Sequence, residues 1–372
     1  MKFKFLKYFL TLSIPFLAYI SFNSTGILTY APILEAFLLI PLLELFFKPS
    51  SKNISEAEEE MTKDDISYDI ILYLFVPLIY FLIWEFLVSM GDPISTSDKI
   101  GRILSMGLIC GGFGINIAHE LGHRKTKYEK LFSKILLLPS LYMHFFIEHN
   151  RGHHKRVSTK EDPSSARFGE NIFSFWLRAV SFGYLSAWNL ENSRLKRNRI
   201  NIISLNNEMI VYQLIQISFL VLIYFIFGLQ IMLYFVCCSI IGFLLLETVN
   251  YIEHYGLQRN KNESGKYERV QPFHSWNSNH PIGRIMLFEL SRHSDHHYNA
   301  SRKYQILKNH ENTPEMPTGY PGMMILSLIP PLWFDFSIVF GSVGLLFFVI
   351  IIYTILSVFK ISINDTMRIN LK

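Results

Sequence analysis

The chain of 372 residues is half apolar and 15% aromatic, and it carries a formal net charge of +5. Its mean hydropathy of +0.25 is unusual for a soluble protein of this length and argues for membrane-spanning segments. The charge pattern indicates no nucleic-acid partner. The three cysteines lie in hydrophobic runs without a CxxC pair, which excludes a thiolate-bound zinc or iron site within the chain.

Six hydrophobic runs follow in chain order, most of them near the ~20 residues that a helix needs to cross the hydrocarbon core. They predict membrane helices at roughly residues 6–22, 27–47, 68–90, 99–119, 208–228 and 230–252. No A-x-A-like cleavage site follows the first run, so we expect a retained helix and not a signal peptide. The acidic stretch at 48–65 is expected to be a loop. The sequence therefore predicts an all-α integral membrane protein built on a six-helix bundle.

Lysine and arginine content gives the expected orientation, because short cytoplasmic loops are enriched in positive charge. Lys2, Lys4 and Lys7 lie at the N-terminus, and the stretch 124–199 is rich in both residues, whereas the loop at 91–98 carries no positive charge. We predict a multi-pass protein of the cell's inner (plasma) membrane. Its N-terminus and the stretch 124–199 are expected on the cytoplasmic side.

Histidines carry the most specific chemical signal in the sequence. Nine of the thirteen fall in four runs, HELGHR (119–124), EHNRGHHKR (148–156), NYIEHYGL (250–257) and RHSDHHYNASRKYQIL (292–307). Spacings of three and four residues predict that His119 with His123, His149 with His153, and the 293–297 set each project from one helix face. Neutral imidazole is the commonest metal ligand, and nine exceed one coordination sphere, so at least two ions are predicted at the cytoplasmic end of the bundle. Imidazole alone does not choose the metal, although redox chemistry on a lipid-dissolved substrate would exclude zinc.

Carboxyl groups near these runs are candidates for orienting the histidine rings. Glu247 lies on one helical stripe with Asn250 and His254, and a carboxyl inside a membrane helix is costly enough to suggest function. We expect Glu247 to hold a histidine ring by its second nitrogen. Weaker candidates for the same role are Asp162, Asp295, Glu148 and Glu253. The remaining histidines are expected to be surface or packing residues: His144, His274, His280 and His310.

At these motifs the sequence resembles the membrane-bound alkane 1-monooxygenases, within the wider fatty-acid desaturase and hydroxylase superfamily. The resemblance rests on NIAHELGHR, EHxxGHHxxVxTxxDPxxAR (148–167), NYIEHYGL, WNSNH (276–280) and RHSDHH with a following YQ, and it covers about residues 25–335. It implies a non-haem di-iron centre with these ligands: His119, His123, His149, His153, His154, His254, His293, His296 and His297. It also implies O2-dependent hydroxylation of the terminal methyl of an n-alkane to a primary alcohol.

The resemblance further implies electrons from rubredoxin and an NAD(P)H-dependent rubredoxin reductase. The chain itself has no CxxC pair for iron–sulfur ligation and no nucleotide-binding motif, so another protein must deliver the electrons. Basic residues around the histidine runs would suit docking of an acidic carrier: Lys125, Lys127, Lys130, Arg151, Lys155 and Arg156.

The C-terminal residues depart from the family pattern. A hydrophobic run at about 336–359 is long enough to span the bilayer, but a seventh span would export Lys360, Arg368 and Lys372 against the charge bias. An interfacial or re-entrant helix avoids this conflict. We predict a membrane-embedded di-iron oxygenase domain over 1–335 and an additional hydrophobic segment with a tail over 336–372.

Three other interpretations stay open. A desaturase or hydroxylase acting on fatty-acyl or other lipid chains shares the histidine motifs. A membrane metallopeptidase would use HELGH at 119–123 as an HExxH motif, with Glu120 as general base for a zinc-bound water, but it leaves seven clustered histidines unexplained. A non-catalytic protein such as a metal transporter would distribute its histidines through the spans, whereas these gather at the span ends.

Overall fold

The computed structural model of the protein describes residues 4–338. The contacts between residues divide the chain into two compact units, of which the first ends at Ile325 and the second begins at Leu326. The hydrophobic segment predicted over 336–372 lies almost wholly outside the described residues, so its topology and the domain boundary at 335 stay predictions.

Within residues 4–338, six helices are long and apolar enough to cross a membrane, and each matches one predicted run. They are α1 (Lys4–Phe22), α2 (Gly26–Glu44), α3 (Ile66–Ser89), α4 (Thr96–Gly122), α5 (Glu208–Phe227) and α6 (Leu229–His254). Between residues 4 and 338 the only β-type pairings are two isolated bridges. The predicted all-α membrane fold is therefore confirmed.

Other helices connect or follow these six. Their bounds are Glu56–Thr62, Lys127–Leu137, Phe145–Glu148, His149–His153, His154–Arg156, Ile172–Arg197, Pro281–Met286, His293–Tyr298, Tyr320–Ser327 and Pro330–Ile338. The long helix Ile172–Arg197, here called the bridging helix, contacts α6 near its start and α5 near its end. Trp176 donates to the Thr248 hydroxyl, and Glu191 accepts from the backbone N–H of Glu208.

Polar residues fix where the membrane helices begin. Asp65, Ser95 and Asn207 each accept a hydrogen bond from a backbone N–H in the first turn of α3, α4 and α5. Such N-caps stabilise a helix by about 1 kcal/mol each. Gly228 separates α5 from α6 with φ +86°, a conformation that glycine adopts without steric cost.

Helix α4 forms the centre of the bundle. In its most apolar window 72% of the residues are buried, compared with 17% in α5, which exposes most of its surface. Gly111 of α4 packs on Gly242 of α6 so closely that an added Cβ would lie 2.4 Å from the Gly242 carbonyl oxygen. The glycines of α4 therefore serve close helix packing.

Five of the six membrane helices are tied at one end to the segments that carry the histidines. This end of the bundle is called the histidine side below. The ties are Lys7 to Glu289 for α1, Glu44 to the N–H of Gly283 for α2, Asp69 to Arg124 for α3, Glu120 to the N–H of Tyr304 for α4, and Glu208 to Arg151 for α5. The helix α6 contributes His254 itself. The bundle thus acts as a rigid frame for the site.

Candidate metal centre

Nine histidines converge on the histidine side in two adjacent groups. The first group contains His119, His123, His149, His154 and His296, and the second contains His153, His254, His293 and His297. Within each group the ring nitrogens that face inward lie within 4.8 Å of one another. The structure thus brings together all nine residues singled out in the sequence.

The first group surrounds a single point. His119 Nε2 lies 2.9 Å from His296 Nε2, and His296 Nε2 lies 3.1 Å from His154 Nε2. His149 Nε2 lies 2.9 Å from His154 Nε2 and 3.2 Å from His123 Nε2. Five imidazoles therefore present nitrogens to one small volume.

The second group has four imidazoles and one carboxylate oxygen beside it. His297 Nε2 lies 2.9 Å from His293 Nε2 and 3.2 Å from His153 Nε2. His254 Nε2 lies 3.3 Å from His293 Nε2, and Glu253 Oε2 lies 3.1 Å from the same His293 nitrogen. Glu253 is thus the one carboxylate with an oxygen against an inward-facing histidine nitrogen in the described chain.

The expected pairing by spacing is wrong for two of the three runs to which it was applied. His149 and His153 were expected to share a helix face, but they belong to different groups. The reason is local: His149–His153 is a π-helical turn, in which the hydrogen bonds run from i to i+5. Residues five apart then return to the same side, so His149 meets His154. The set at 293–297 also divides, since His296 contributes to the first group.

Both groups fit metal ions. Burial, then the neighbouring imidazoles, hold the pKa values of His149, His154, His293, His296 and His297 well below the ordinary value, so these rings are neutral, which is the metal-binding form. Two nitrogens bound at right angles about 2.1 Å from one ion are about 3 Å apart, close to the observed separations. Neutral rings cannot supply a proton for every one of these close nitrogen contacts, whereas an ion in each group would satisfy them all.

The carboxylate that orients a histidine is Asp162 and not Glu247, which was the first candidate from the sequence. Glu247 accepts from the Tyr142 hydroxyl at 2.9 Å and from the Asn250 amide at 3.1 Å, so its expected contact with a histidine ring is wrong. Asp162 has that role instead, because its Oδ2 lies 2.9 Å from Nδ1 of His153. Burial lowers the pKa of His153, but Asp162 outweighs it and leaves that pKa above the ordinary value.

The other two carboxylate candidates serve the surrounding structure. Glu148 binds Arg156 at 2.6 Å. Asp295 accepts from His310 at 2.8 Å and pairs with Arg302 at 3.1 Å. Within residues 4–338 neither carboxylate accepts a hydrogen bond from a clustered histidine, although Glu148 is close enough to His153 to influence its charge.

Glu120 does not occupy the position that a peptidase base would need. Its Oε1 pairs with Arg124 at 2.7 Å and accepts from the backbone N–H of Tyr304 at 3.2 Å. Arg124 in turn contacts Asp69. Glu120 therefore ties the end of α4 to the chain after the last histidine run, and it is absent from both histidine groups.

The four histidines outside the runs also lie outside both groups. His144, His274 and His280 are buried, and His310 is bound to Asp295. Their assignment as packing or surface residues agrees with these positions.

An apolar cavity of about 100 Å³ lies inside the bundle and reaches both histidine groups. Its walls come from α1, α2, α4 and α6 and from the chain after 280, for example Phe37, Gly112, Leu246 and Met286. His119, His149 and His293 close one end. A hydrocarbon chain in this cavity would present its end to the histidines and away from water.

The cavity also has a polar residue that the sequence motifs did not indicate. Tyr320 is buried, lines the cavity and donates a hydrogen bond of 2.8 Å to Glu253 Oε1. It follows the histidine runs in a PTGYPG segment, whose spacing carries no metal-ligand signal. Only the fold places it beside Glu253.

The fold and the site define a membrane-embedded helical protein with two polyhistidine groups, and the fatty acid desaturase family model matches residues 100–327. The chain belongs to this family. More narrowly, it belongs with the alkane 1-monooxygenases. It is 40% identical over 329 residues to alkane 1-monooxygenase 1 of Pseudomonas aeruginosa, covering 87% of this chain and 86% of that one. It is 38% identical to alkane 1-monooxygenase of Acinetobacter baylyi, covering 80% and 73% of the two chains.

A more distant similarity extends to a different monooxygenase. The chain is 26% identical over 247 residues to the hydroxylase component of the xylene/toluene monooxygenase of Pseudomonas putida, covering 66% of this chain and 64% of that one. Relatives of both kinds are named as monooxygenases.

Proposed function

We propose that this protein is an alkane 1-monooxygenase that hydroxylates the terminal methyl of an n-alkane to a primary alcohol. The observation that carries the proposal is the apolar cavity that ends on His119, His149 and His293. The relatives in Pseudomonas and Acinetobacter, named as alkane 1-monooxygenases, support the same reaction.

Two iron ions are the proposed cofactors, one held by each histidine group. Bound iron supplies the activation of O2 that an unreactive C–H bond requires. Asp162 orients His153 through its Nδ1, which is how ligand rings are usually fixed. Arg124, Glu120 and Asp69 hold α3, α4 and the chain at Tyr304 together around the first group.

Restricted access of the alkane to the histidines explains why its terminal carbon would react. Internal C–H bonds are weaker than those of a methyl group, so selectivity for the end requires that only the end reaches the histidines. The cavity walls are almost entirely apolar, and the few polar groups that line it, among them Asn250, Glu253 and Tyr320, lie near the closed end. The walls therefore align the chain and exclude water, while orientation of the reacting carbon comes from confinement.

The electron donor is proposed to be a rubredoxin-type carrier with its NAD(P)H-dependent reductase. The chain has no CxxC pair that could hold an iron–sulfur centre and relay electrons from a nucleotide. Lys125 and Lys127 are exposed just after His123, so a negatively charged carrier can approach the first group there. We also propose that the histidine side faces the cytoplasm across the inner membrane, where such a carrier is reduced.

Product analysis tests the proposal. Cells expressing the chain with a rubredoxin system receive n-alkanes of several lengths, and gas chromatography identifies the products. A primary alcohol with about two irons per purified chain is expected. A second candidate, desaturation or internal hydroxylation of a lipid chain, draws support from the desaturase family match, and a double bond or internal hydroxyl as the main product would establish it instead.

A further inference from the structure

A second cavity of about 510 Å³ lies between α5, α6, the bridging helix and the loop before the second histidine run. Its volume is in the range of small-molecule sites. Residues that line it include Tyr142, His144, Tyr184, Gln213, Gln216 and Phe243. None of the nine clustered histidines is among its lining residues, so it is distinct from the apolar cavity at the candidate metal centre.

The second cavity lies at membrane level. Gln213 and Gln216 belong to α5, and Gln213 is five residues, or about 7.5 Å along the axis, from the start of that helix. Leu214 and Ile217, their neighbours on α5, are 51% and 57% exposed, as expected of side chains that face lipid. A ligand for this cavity therefore arrives from the bilayer.

Two polar nitrogens at the cavity are buried without a partner. His144 is 5% exposed, and its Nε2 makes no hydrogen bond within residues 4–338. The Nε2 of Gln213 is likewise buried and unpaired. The His144 ring packs against the rings of Tyr142 and Tyr184, with centroids 4.2 and 5.2 Å away. Since buried polar groups are ordinarily paired, these two nitrogens point to a bound ligand.

The lining selects the chemistry of that ligand. No Asp, Glu, Lys or Arg lines the cavity, and burial lowers the pKa of His144 to about 3, so its ring is neutral. A phosphate or carboxylate would be buried without a counter-charge, which is costly. An uncharged hydroxyl can accept from the Gln213 amide and donate to an imidazole nitrogen, while Leu141, Val180 and Phe243 offer apolar surface to an alkyl chain.

We propose that this cavity is a second binding site, which holds the hydroxyl head and first methylenes of a long-chain primary alcohol. The source of the alcohol rests on the proposed function, which yields this class of product, but the binding itself does not. The two cavities are connected by hydrogen bonds: Tyr142 donates to Glu247, and Glu247 accepts from Asn250, which lines the apolar cavity. The site thus lies beside the place where the alcohol would form.

Photo-crosslinking in phosphatidylcholine nanodiscs tests the site. The probe is 1-hexadecanol with a diazirine close to its hydroxyl, and mass spectrometry maps the labelled peptides. Labelling is expected within 141–144, 180–185 and 213–216. Unlabelled 1-hexadecanol should compete, whereas hexadecane and hexadecanoate should compete at least tenfold more weakly. Equal competition by hexadecane or hexadecanoate, stronger competition by a diacylglycerol, or labelling elsewhere would overturn the proposal.

Matched variants sharpen the test. Gln213→Leu removes the unpaired amide and should weaken competition by 1-hexadecanol about tenfold, the effect of losing about one hydrogen bond. Gln230→Leu, at the opposite end of the bundle on α6, is the control and should leave labelling unchanged. If Gln213→Leu labels and competes like the wild type, the assignment is wrong.

Different results would contradict the second binding site and the proposed function. His293→Ala, which should lose alkane turnover, is expected to label at the wild-type level because the second cavity contains no clustered histidine. If the protein is labelled at the second cavity but oxidises no alkane, the binding site stands and the proposed function is wrong. If it produces alcohol but is not labelled at the second cavity, the proposed function stands and the binding site is wrong.

Discussion

At the scale of single residues, Asp162 is the one carboxylate within residues 4–338 that accepts a hydrogen bond from the outer ring nitrogen of a clustered histidine. Asp162 is fully buried, accepts from His153 Nδ1 and is itself held by the Ser165 hydroxyl at 2.6 Å. The sequence ranked Glu247 above it because a carboxyl in a membrane helix is rare. The rarity of such a carboxyl does not tell which carboxylate contacts a histidine ring. That contact depends on how the loop after His154 folds back.

Asp162→Asn should weaken retention of metal, because the amide cannot accept from the His153 ring as the carboxylate does. Loss of such a partner typically costs about 10–100-fold in metal affinity or activity. Iron per chain after timed dialysis against a chelator measures the effect. His310→Ala is the control, since His310 contacts Asp295 and lies outside both groups. Equal iron loss in the two variants would show that Asp162 does not support the site.

At the scale of elements, hydropathy predicted the six membrane helices, because each must present about 20 apolar residues to lipid. The division of histidines between the two groups could not be predicted in the same way. It depends on the π-helical turn His149–His153, and the letters HNRGH do not distinguish i→i+5 from i→i+4 hydrogen bonding. The close approach of α4 and α6 at Gly111 and Gly242 was likewise visible only in the fold.

Gly111→Ala should destabilise the bundle, because the new Cβ would lie 2.4 Å from the Gly242 carbonyl oxygen and would force α4 and α6 apart. Overpacking of this kind costs about 1–3 kcal/mol. Thermal unfolding of the purified protein in detergent reports it as a lower Tm. Gly183→Ala in the bridging helix meets no atom within 4 Å and should be neutral or slightly stabilising. A Tm for Gly111→Ala equal to that of Gly183→Ala would contradict the packing described.

At the scale of the whole molecule, the first membrane helix is fastened to the last histidine run. Glu289 accepts from Lys7 and the Tyr8 hydroxyl, each at 2.9 Å, and from Arg284 at 2.6 Å. It does so at φ +57°, immediately after Phe288 at φ +51°, a conformation that costs non-glycine residues about 1–2 kcal/mol each. The ion pairs offset this cost and place the chain that leads to His293.

The stabilisation by Glu289 should depend on pH. Burial alone would raise the pKa of Glu289, but Arg284 and Lys7 lower it to about 2, against 4.5 for the free group. A lowered pKa stabilises the fold above pH 4.5 and loses that effect as pH falls toward 2, by about 3 kcal/mol in total.

Glu289→Gln removes this dependence. The difference in unfolding free energy between wild type and Glu289→Gln should be largest at pH 6 and smaller at pH 3.5. Denaturant titration at both values measures it, and Glu263→Gln in an exposed loop should show no such change. If the difference in unfolding free energy stays constant between the two pH values, the ionised Glu289 side chain does not stabilise the fold as described.

Carrier docking should depend on salt. The apparent affinity for a rubredoxin-type carrier should fall as salt rises to physiological strength, because the Debye length shortens to ~8 Å. Lys125→Glu should mimic high salt in steady-state turnover while iron content stays unchanged. Lys99→Glu, near the start of α4 at the opposite end of the bundle, is the matched charge reversal. Salt-independent carrier affinity would place docking away from this surface.

His153 and His154 are neighbours in the chain yet belong to different histidine groups, and the same is true of His296 and His297. If each group holds one ion, as proposed, a shift of either short segment that releases an ion from one group also moves a ligand of the other. The two binding equilibria would then be linked through the backbone. Release of metal to a chelator, followed over time, should therefore depart from the course expected of two independent sites.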